Sequence, residues 1–244
     1  MMMQNAVLVM SLACAAFVAT MVGGLFAISL RDRLHLVLGF SAGAVIGLAF
    51  FDLMPEALDV GAVWGPRTIM LLCAGGFFLY TLIDRVIILH TVGDGHHGAH
   101  QARGWIGAGS LSAHSFLDGF AIGIAFQASR TIGFVVAFAV LVHDFSDGLN
   151  TVNVVVRNGN DRKAALRWLL LDAVAPIIGA GASLFVRLPE HSIALVLALF
   201  SGFFLYIGAS DLLPESHHAH PKLFTTIDTL CGAATLLFAT QVAG

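Results

Sequence analysis

GAVIGLAFFDLMPE, residues 43–56, returns as GFFLYIGASDLLPE at residues 202–215; each copy has a glycine, eight further residues, then Asp-Leu-x-Pro-Glu. Both copies close an apolar run long enough to cross a bilayer, which takes about 20 apolar residues in a helix. Reading outward at that length gives eight spans, at 5–30, 35–57, 66–90, 104–128, 131–157, 163–187, 191–215 and 222–243. The connections are short and carry turn signals such as RDR, GPR, VRNGND and RLPE. Five crossings separate the two copies, so they run in opposite directions. Opposed copies of one pattern mark an inverted repeat, the device by which carriers open to each side in turn. The expected fold is therefore an all-α membrane protein of eight transmembrane helices arranged 3+2+3, spans 1–3 being repeated, inverted, in spans 6–8. Residues 1–244 are expected to form a single transmembrane domain.

Composition agrees with that reading. The 244 residues are 58% hydrophobic and 11% charged, and the mean hydropathy is +0.88, well above a soluble domain. A net charge of -3 with no basic cluster excludes nucleic acid as a partner. Cys14, Cys73 and Cys231 each lie inside an apolar run without CxxC spacing, so they read as packing residues. The N-terminal run lacks a basic leader segment and is long enough to span, so it reads as a retained helix. Arg31, Arg33, Arg85, Arg103, Arg157, Arg162, Lys163, Arg167 and Lys222 fall at odd-numbered connections, against Arg67, Arg130 and Arg187 at even ones. The richer side is expected to face the cytoplasm, with both termini outside the cell membrane.

A second echo lies in the middle of the chain: HSFLDG at 114–119 in the fourth span and HDFSDG at 143–148 in the fifth. On a helix, His114 and Asp118 share a face, as do His143 and Asp147, and Asp144 is three residues from Asp147. An ionisable group near the bilayer centre costs about 2.5–3.5 kcal/mol on insertion scales, so this density of them needs compensation. Two imidazoles and three carboxylates form a ligand set for a divalent metal, suited to zinc and also to iron, manganese or cadmium. Interhelical hydrogen bonding is the plainer alternative, but a bundle does not need three carboxylates as glue. Ser112, Ser115, Asn150 and Thr151 continue the polar faces, either as part of a pathway or as backbone-bonded side chains. Gly39, Gly43, Gly47, Gly119 and Gly123 read as small residues permitting close helix approach.

With HSFLDGFAIG, HDFSDG, the paired DLxPE ends and a histidine-bearing loop after the third span, the sequence resembles the ZIP (Zrt/Irt-like) metal transporters, prokaryotic members included, over nearly its whole length. The resemblance implies that His114 and Asp118 are transport-site ligands, and that His143, Asp144 and Asp147 complete a one-metal or two-metal centre. It also implies movement of metal toward the cytoplasm, a homodimer, and a four-helix bundle sliding against the remaining helices. The chain departs from the family pattern at Leu117 and Ser146, where a proline is common, and at Ser115, where many members have asparagine. Ala175 precedes Pro176 where the prokaryotic pattern has glutamate; Asp172, nearly one turn earlier, is the available substitute. One bound metal is the expectation.

Asp52, Glu56 and Asp59 are expected at the outer mouth, and Asp211 and Glu215 mirror Asp52 and Glu56 at the inner end as exit ligands. The cytoplasmic loop at 91–103 contains GDGHHGAH with His96, His97 and His100, and the link after the seventh span contains SHHAH with His217, His218 and His220. Such tracts favour weak metal capture. Three functions compete. A carrier of divalent metal, zinc first, fits the inverted repeat and needs no enzyme cofactor. An intramembrane zinc hydrolase would need a carboxylate base beside an open metal position, and neither HxxxD motif contains a glutamate. A cation channel would not require His114 and His143.

Overall fold

The computed structural model describes residues 2–27, 34–92, 97–214, 216 and 223–243. Among them the chain is helical: α1 (Met2–Phe26), α2 (Leu34–Leu48), α3 (Met54–Val60), α4 (Pro66–Val92), α5 (His97–Ala128), α6 (Arg130–Arg157), α7 (Arg162–Ser183), α8 (Glu190–Tyr206) and α9 (Leu223–Ala243). Seven stretches, spanning all of these except α5, are long and apolar enough to cross a membrane. α5 is 32 residues long, so length is not what excludes it; its polar start and its serines, His114 and Asp118 dilute the apolar run. The fourth helix also begins seven residues earlier than the sequence reading had it, at His97, and α4 continues to Val92. Both ends of the segment 91–103, expected as a loop, are thus helical.

Helix ends follow local chemistry. Pro66 opens α4, where its missing N–H costs nothing, after Gly65 at φ 76°. Asp161 caps α7, its side chain accepting from the Ala164 N–H at 2.8 Å, after Gly159 at φ 79°. Positive φ is open to glycine at no steric cost, so the GPR and NGND turn signals hold. α5 and α6 pass through Leu117 and Ser146 without a break.

The DLxPE ends were expected to be ordinary helix and are not. π-helical turns occupy Ala49–Leu53, between α2 and α3, and Ile207–Leu212, after α8. The Met54 N–H bonds to the Ala49 carbonyl and the Leu213 N–H to the Gly208 carbonyl, at equivalent positions in the two copies. Proline explains both: Pro55 and Pro214 directly follow these donors, and a proline ring clashes with the carbonyl four residues back in a regular α-helix. Widening one turn moves that carbonyl aside.

The chain divides into two compact units. The first comprises Met1–Arg31, Leu82–Ala121 and Asp144–Phe185; the second comprises Asp32–Thr81, Ile122–His143 and Val186–Gly244. In the first, α1 packs on α7, with Gly24 against the Leu169 side chain. Two pairs of helices in this unit approach to backbone distance through reciprocal glycines. A methyl group on Gly23 would strike the Phe145 carbonyl and one on Gly148 the Thr20 carbonyl, joining α1 to α6; Gly119 meets the Pro176 carbonyl and Gly179 the Phe116 carbonyl, joining α5 to α7.

The second unit uses the same device. Gly43 lies on the Thr229 carbonyl and Gly232 on the Phe40 carbonyl, joining α2 to α9, while Gly76 lies on the Leu199 carbonyl and Gly202 on the Cys73 carbonyl, joining α4 to α8. Small residues let helices approach where lipid offers no hydrophobic drive for association. Outward-facing Phe78, Leu71, Phe224 and Phe238 remain exposed, as lipid contact requires. The Ser201 hydroxyl donates to the Ala49 carbonyl at 3.3 Å, supplying the π turn with a further partner, and the Cys73 thiol lies 3.7 Å from Ser201 Oγ. Cys73 is buried, whereas Cys14 and Cys231 are exposed, so the expectation of three packing cysteines holds for one.

Candidate metal centre

The buried carboxylates of the first unit lie on α5, α6 and α7. His114, Asp118, Asp144, Asp147 and Asp172 are all buried, as is His143, and among the described residues no lysine or arginine is buried with them. Helical spacing does the local positioning: His114 and Asp118 are one turn apart on α5, and Nε2 of His114 lies 3.2 Å from Asp118 Oδ2. The same nitrogen is 3.4 Å from Asp147 Oδ2 on α6.

One ligand atom from each of His114, Asp118 and Asp147 lies within 4.8 Å of the others, and His143 joins the group one turn before Asp147 on the same unbroken helix. Nδ1 of His143 is 2.9 Å from the Ala139 carbonyl. A carbonyl only accepts, so Nδ1 carries the proton and Nε2 is left with a lone pair, the form in which a neutral imidazole binds metal. The Phe204 ring stands edge-on to His143 at 6.1 Å between centroids.

The distances suit a metal. Four ligands at about 2.0–2.1 Å around a tetrahedral ion lie about 3.3 Å from one another, and the two measured nitrogen–oxygen separations bracket that value. A single proton on His114 Nε2 serves one carboxylate at a time; a divalent ion among these atoms balances both.

Asp172 lies outside this group. Its Oδ1 accepts from the Ser115 hydroxyl and its Oδ2 from the Thr151 hydroxyl, each at 2.7 Å. Ser115 Oγ also lies 3.1 Å from the Leu111 carbonyl, and the Ser112 hydroxyl donates to the Ala108 carbonyl at 3.0 Å. Of the polar residues flagged by the sequence, Ser112 is thus bonded to backbone, whereas Thr151 and Ser115 hold a buried carboxylate. Asp144 is fully buried beside His143 but is not one of the grouped ligands.

Asp52 belongs to the second unit, on its π turn, with Oδ2 buried and without a hydrogen-bond partner among the described residues. Asp211 lies on the matching π turn. Glu215, His96 and His217 fall outside the described residues, and of His97 only its place at the start of α5 is described. What the sequence reading missed was the pair of π turns and six of the crossing glycines. Proline inside an apolar run signalled the former; of the latter, Gly148 and Gly202 belong to the duplicated motifs, and no spacing singled out Gly23, Gly76, Gly179 and Gly232.

A family model for the ZIP zinc transporters matches residues 89–240, more than half of the chain. The chain belongs to the ZIP family. Relatives span much of its length: it is 29% identical over 236 residues to zinc transporter ZupT of Corynebacterium efficiens, covering 87% of this chain and 88% of that protein. It is 25% identical over 196 residues to zinc transporter ZIP13 of Pongo abelii, covering 75% of this chain and 58% of the relative. A shorter match to human zinc transporter ZIP4 is 33% identical over 103 residues, 42% of this chain and 16% of that one. The chain thus spans little more than half of ZIP13 and a small part of ZIP4. With this membership and its apolar helices, the protein is a multi-pass membrane protein.

Proposed function

We propose that this ZIP protein carries divalent transition-metal ions, zinc foremost, across the membrane toward the cytoplasm by alternating access. His114, Asp118, His143 and Asp147 hold the ion, and Asp144 stands next to them. The observation that carries the reading is the buried set of two imidazoles and two carboxylates within ligand distance, with no buried cationic side chain among the described residues to balance it. The names of the relatives, zinc transporters in each case, point the same way.

Alternating access is supported by the internal duplication. The copies are offset by 159 residues, and that offset carries the π bond Met54–Ala49 onto Leu213–Gly208. The glycine crossings obey a matching rule. If the first three spans correspond to the last three and the fourth to the fifth, α1·α6 maps onto α7·α5, and α2·α9 onto α8·α4. Those are the four crossings built from reciprocal glycines. This supports the 3+2+3 inverted arrangement. The arginine and lysine bias supports termini outside. Asp52, Asp211 and Glu215 are assigned to the ion's path, the histidine segments to metal capture, and the working unit to a homodimer.

The test is flux of zinc, iron, manganese and cadmium into proteoliposomes, comparing the intact protein with His114→Ala and Asp147→Ala. Metal-dependent flux lost in both variants supports the assignment and ranks the substrates. Unchanged flux in folded variants refutes the site, and no flux for any metal in the folded intact protein refutes the carrier.

A further inference from the structure

Asp172 is fully buried on α7, yet the ligand group closes without it. Such a carboxylate is expensive inside a membrane, so its partners identify its task. Both of its oxygens receive a hydroxyl proton at 2.7 Å, one from Ser115 and one from Thr151. These lengths are ordinary for hydroxyl donors and lie at the edge of the range for a charged acceptor.

The two donors occupy informative places. Ser115 follows His114 directly on α5, and Thr151 stands one turn beyond Asp147 on α6. Asp172 therefore bridges the two helices that supply ligands, on the side where Ser115 and Thr151 point. α7 itself is anchored to α5 at this level through the Gly119 and Gly179 contacts. Pro176, four residues after Asp172, has no N–H to give the Asp172 carbonyl.

Resting on the reading that these ligands bind the transported ion, we infer that Asp172 is a positioning residue rather than a ligand: with Ser115 and Thr151 it forms a hydroxyl–carboxylate clasp that sets the separation of His114 from Asp147 and thereby the size of ion the site favours. With one hydroxyl proton on each oxygen, the carboxylate is held by the two helices rather than by the ion. The protein should then bind one metal per chain at this centre, and its zinc-to-cadmium preference should depend on residues that do not touch the ion.

The experiment compares Asp172→Ala, Asp172→Asn, the pair Ser115→Ala/Thr151→Val and the triple variant in proteoliposomes, with zinc and cadmium as substrates. Zinc bound per chain is measured on the same purified samples. The expected result is a rise of roughly tenfold in KM for zinc, with a smaller rise for the larger cadmium ion. The Ser115/Thr151 pair should match Asp172→Ala, the triple should be no worse than either, and zinc bound should stay at one per chain. If Asp172→Ala fails to fold, Asp172→Asn and the hydroxyl pair carry the test. Loss of one bound zinc from a two-zinc protein on Asp172→Ala, additive effects in the triple, or an unchanged zinc-to-cadmium ratio would each overturn the inference. His114→Ala separates the layers: if that variant transports normally the metal site itself is wrong, whereas if it is inactive and the clasp variants are indifferent only the clasp is wrong.

Discussion

The two duplicated motifs of this ZIP protein use duplication differently. The HxFxDG pair repeats side chains: His and Asp one turn apart on unbroken helices α5 and α6, buried, with ligand atoms converging. The DLxPE pair repeats backbone: each copy opens a π turn just ahead of a proline, with matching N–H to carbonyl bonds. In one the helix is a rigid frame and the chemistry lies in the side chains; in the other the distortion of the helix is itself the repeated feature. Substitutions should separate them, since the first should fail in ion binding and the second in helix geometry.

The largest effect is expected at the first motif. His114→Ala or Asp147→Ala removes one of the four proposed ligands and breaks up a buried charged cluster, which costs on the order of 3–5 kcal/mol for a broken buried pair. Zinc flux should fall at least about a hundredfold while size-exclusion profiles stay unchanged. Retained flux in either variant would place ion binding elsewhere and dissolve the contrast between the motifs.

This difference also governs what could be read from the sequence. Seven apolar spans, the shared His and Asp faces of α5 and α6 and the duplicated DLxPE ends were legible because each leaves a periodic or repeated trace: apolar runs of bilayer length, an i to i+4 spacing, a repeated word. The length of α5 was not, because His97–Arg103 is polar, and polarity reads as loop until neighbouring helices or an aqueous face accept it. The role of Thr151 was invisible for another reason: its partner Asp172 lies on a different helix, and pairing across helices leaves no spacing to find. Gly23 and Gly179 were hidden likewise, since a glycine that meets a carbonyl looks in sequence like any of the 26 glycines.

Glycine crossings should show the next largest effect, acting on both units alike. Gly148→Leu or Gly179→Leu in the first, and Gly43→Leu or Gly202→Leu in the second, each drive a side chain into a backbone carbonyl. Overpacking that cannot be relieved by a flexible neighbour costs roughly 1–3 kcal/mol or more, so thermal unfolding in detergent should move down for all four. A drop confined to one unit would show that the other can spread its helices without penalty.

The histidines give ion binding at the HxFxDG pair a pH dependence. Binding at the proposed site requires the lone pair on a ring nitrogen of His114 and of His143. A proton on either ring competes with the metal, so affinity falls as pH is lowered. Zinc titrations should weaken by up to about tenfold per pH unit for each liganding histidine on the acid side. His143→Asn should make that slope shallower without removing it. A slope unchanged in the variant would take His143 out of the ligand set and leave His114 as the single imidazole.

The smallest effect is expected at the prolines, and it is the one that sharpens the comparison most. Pro55→Ala restores an N–H and removes the ring that crowds the Phe51 carbonyl, so Ala49–Leu53 can close into regular α-helix. Changing a π turn to an α turn removes one residue's worth of offset, about 100° of rotation, between α2 and everything beyond it, Asp52 and Glu56 included. Pro214→Ala should do the same after α8. Helix propensity improves in both variants, so thermal stability should hold or rise slightly while zinc flux drops by about threefold for want of a correctly aimed mouth. Stability and transport would thus move in opposite directions, the reverse of the glycine variants, where both fall. If Pro55→Ala lowered flux and Pro214→Ala did not, the two π turns would be alike in geometry but unlike in use, and the duplicated motif would be a relic of packing rather than a pair of working gates.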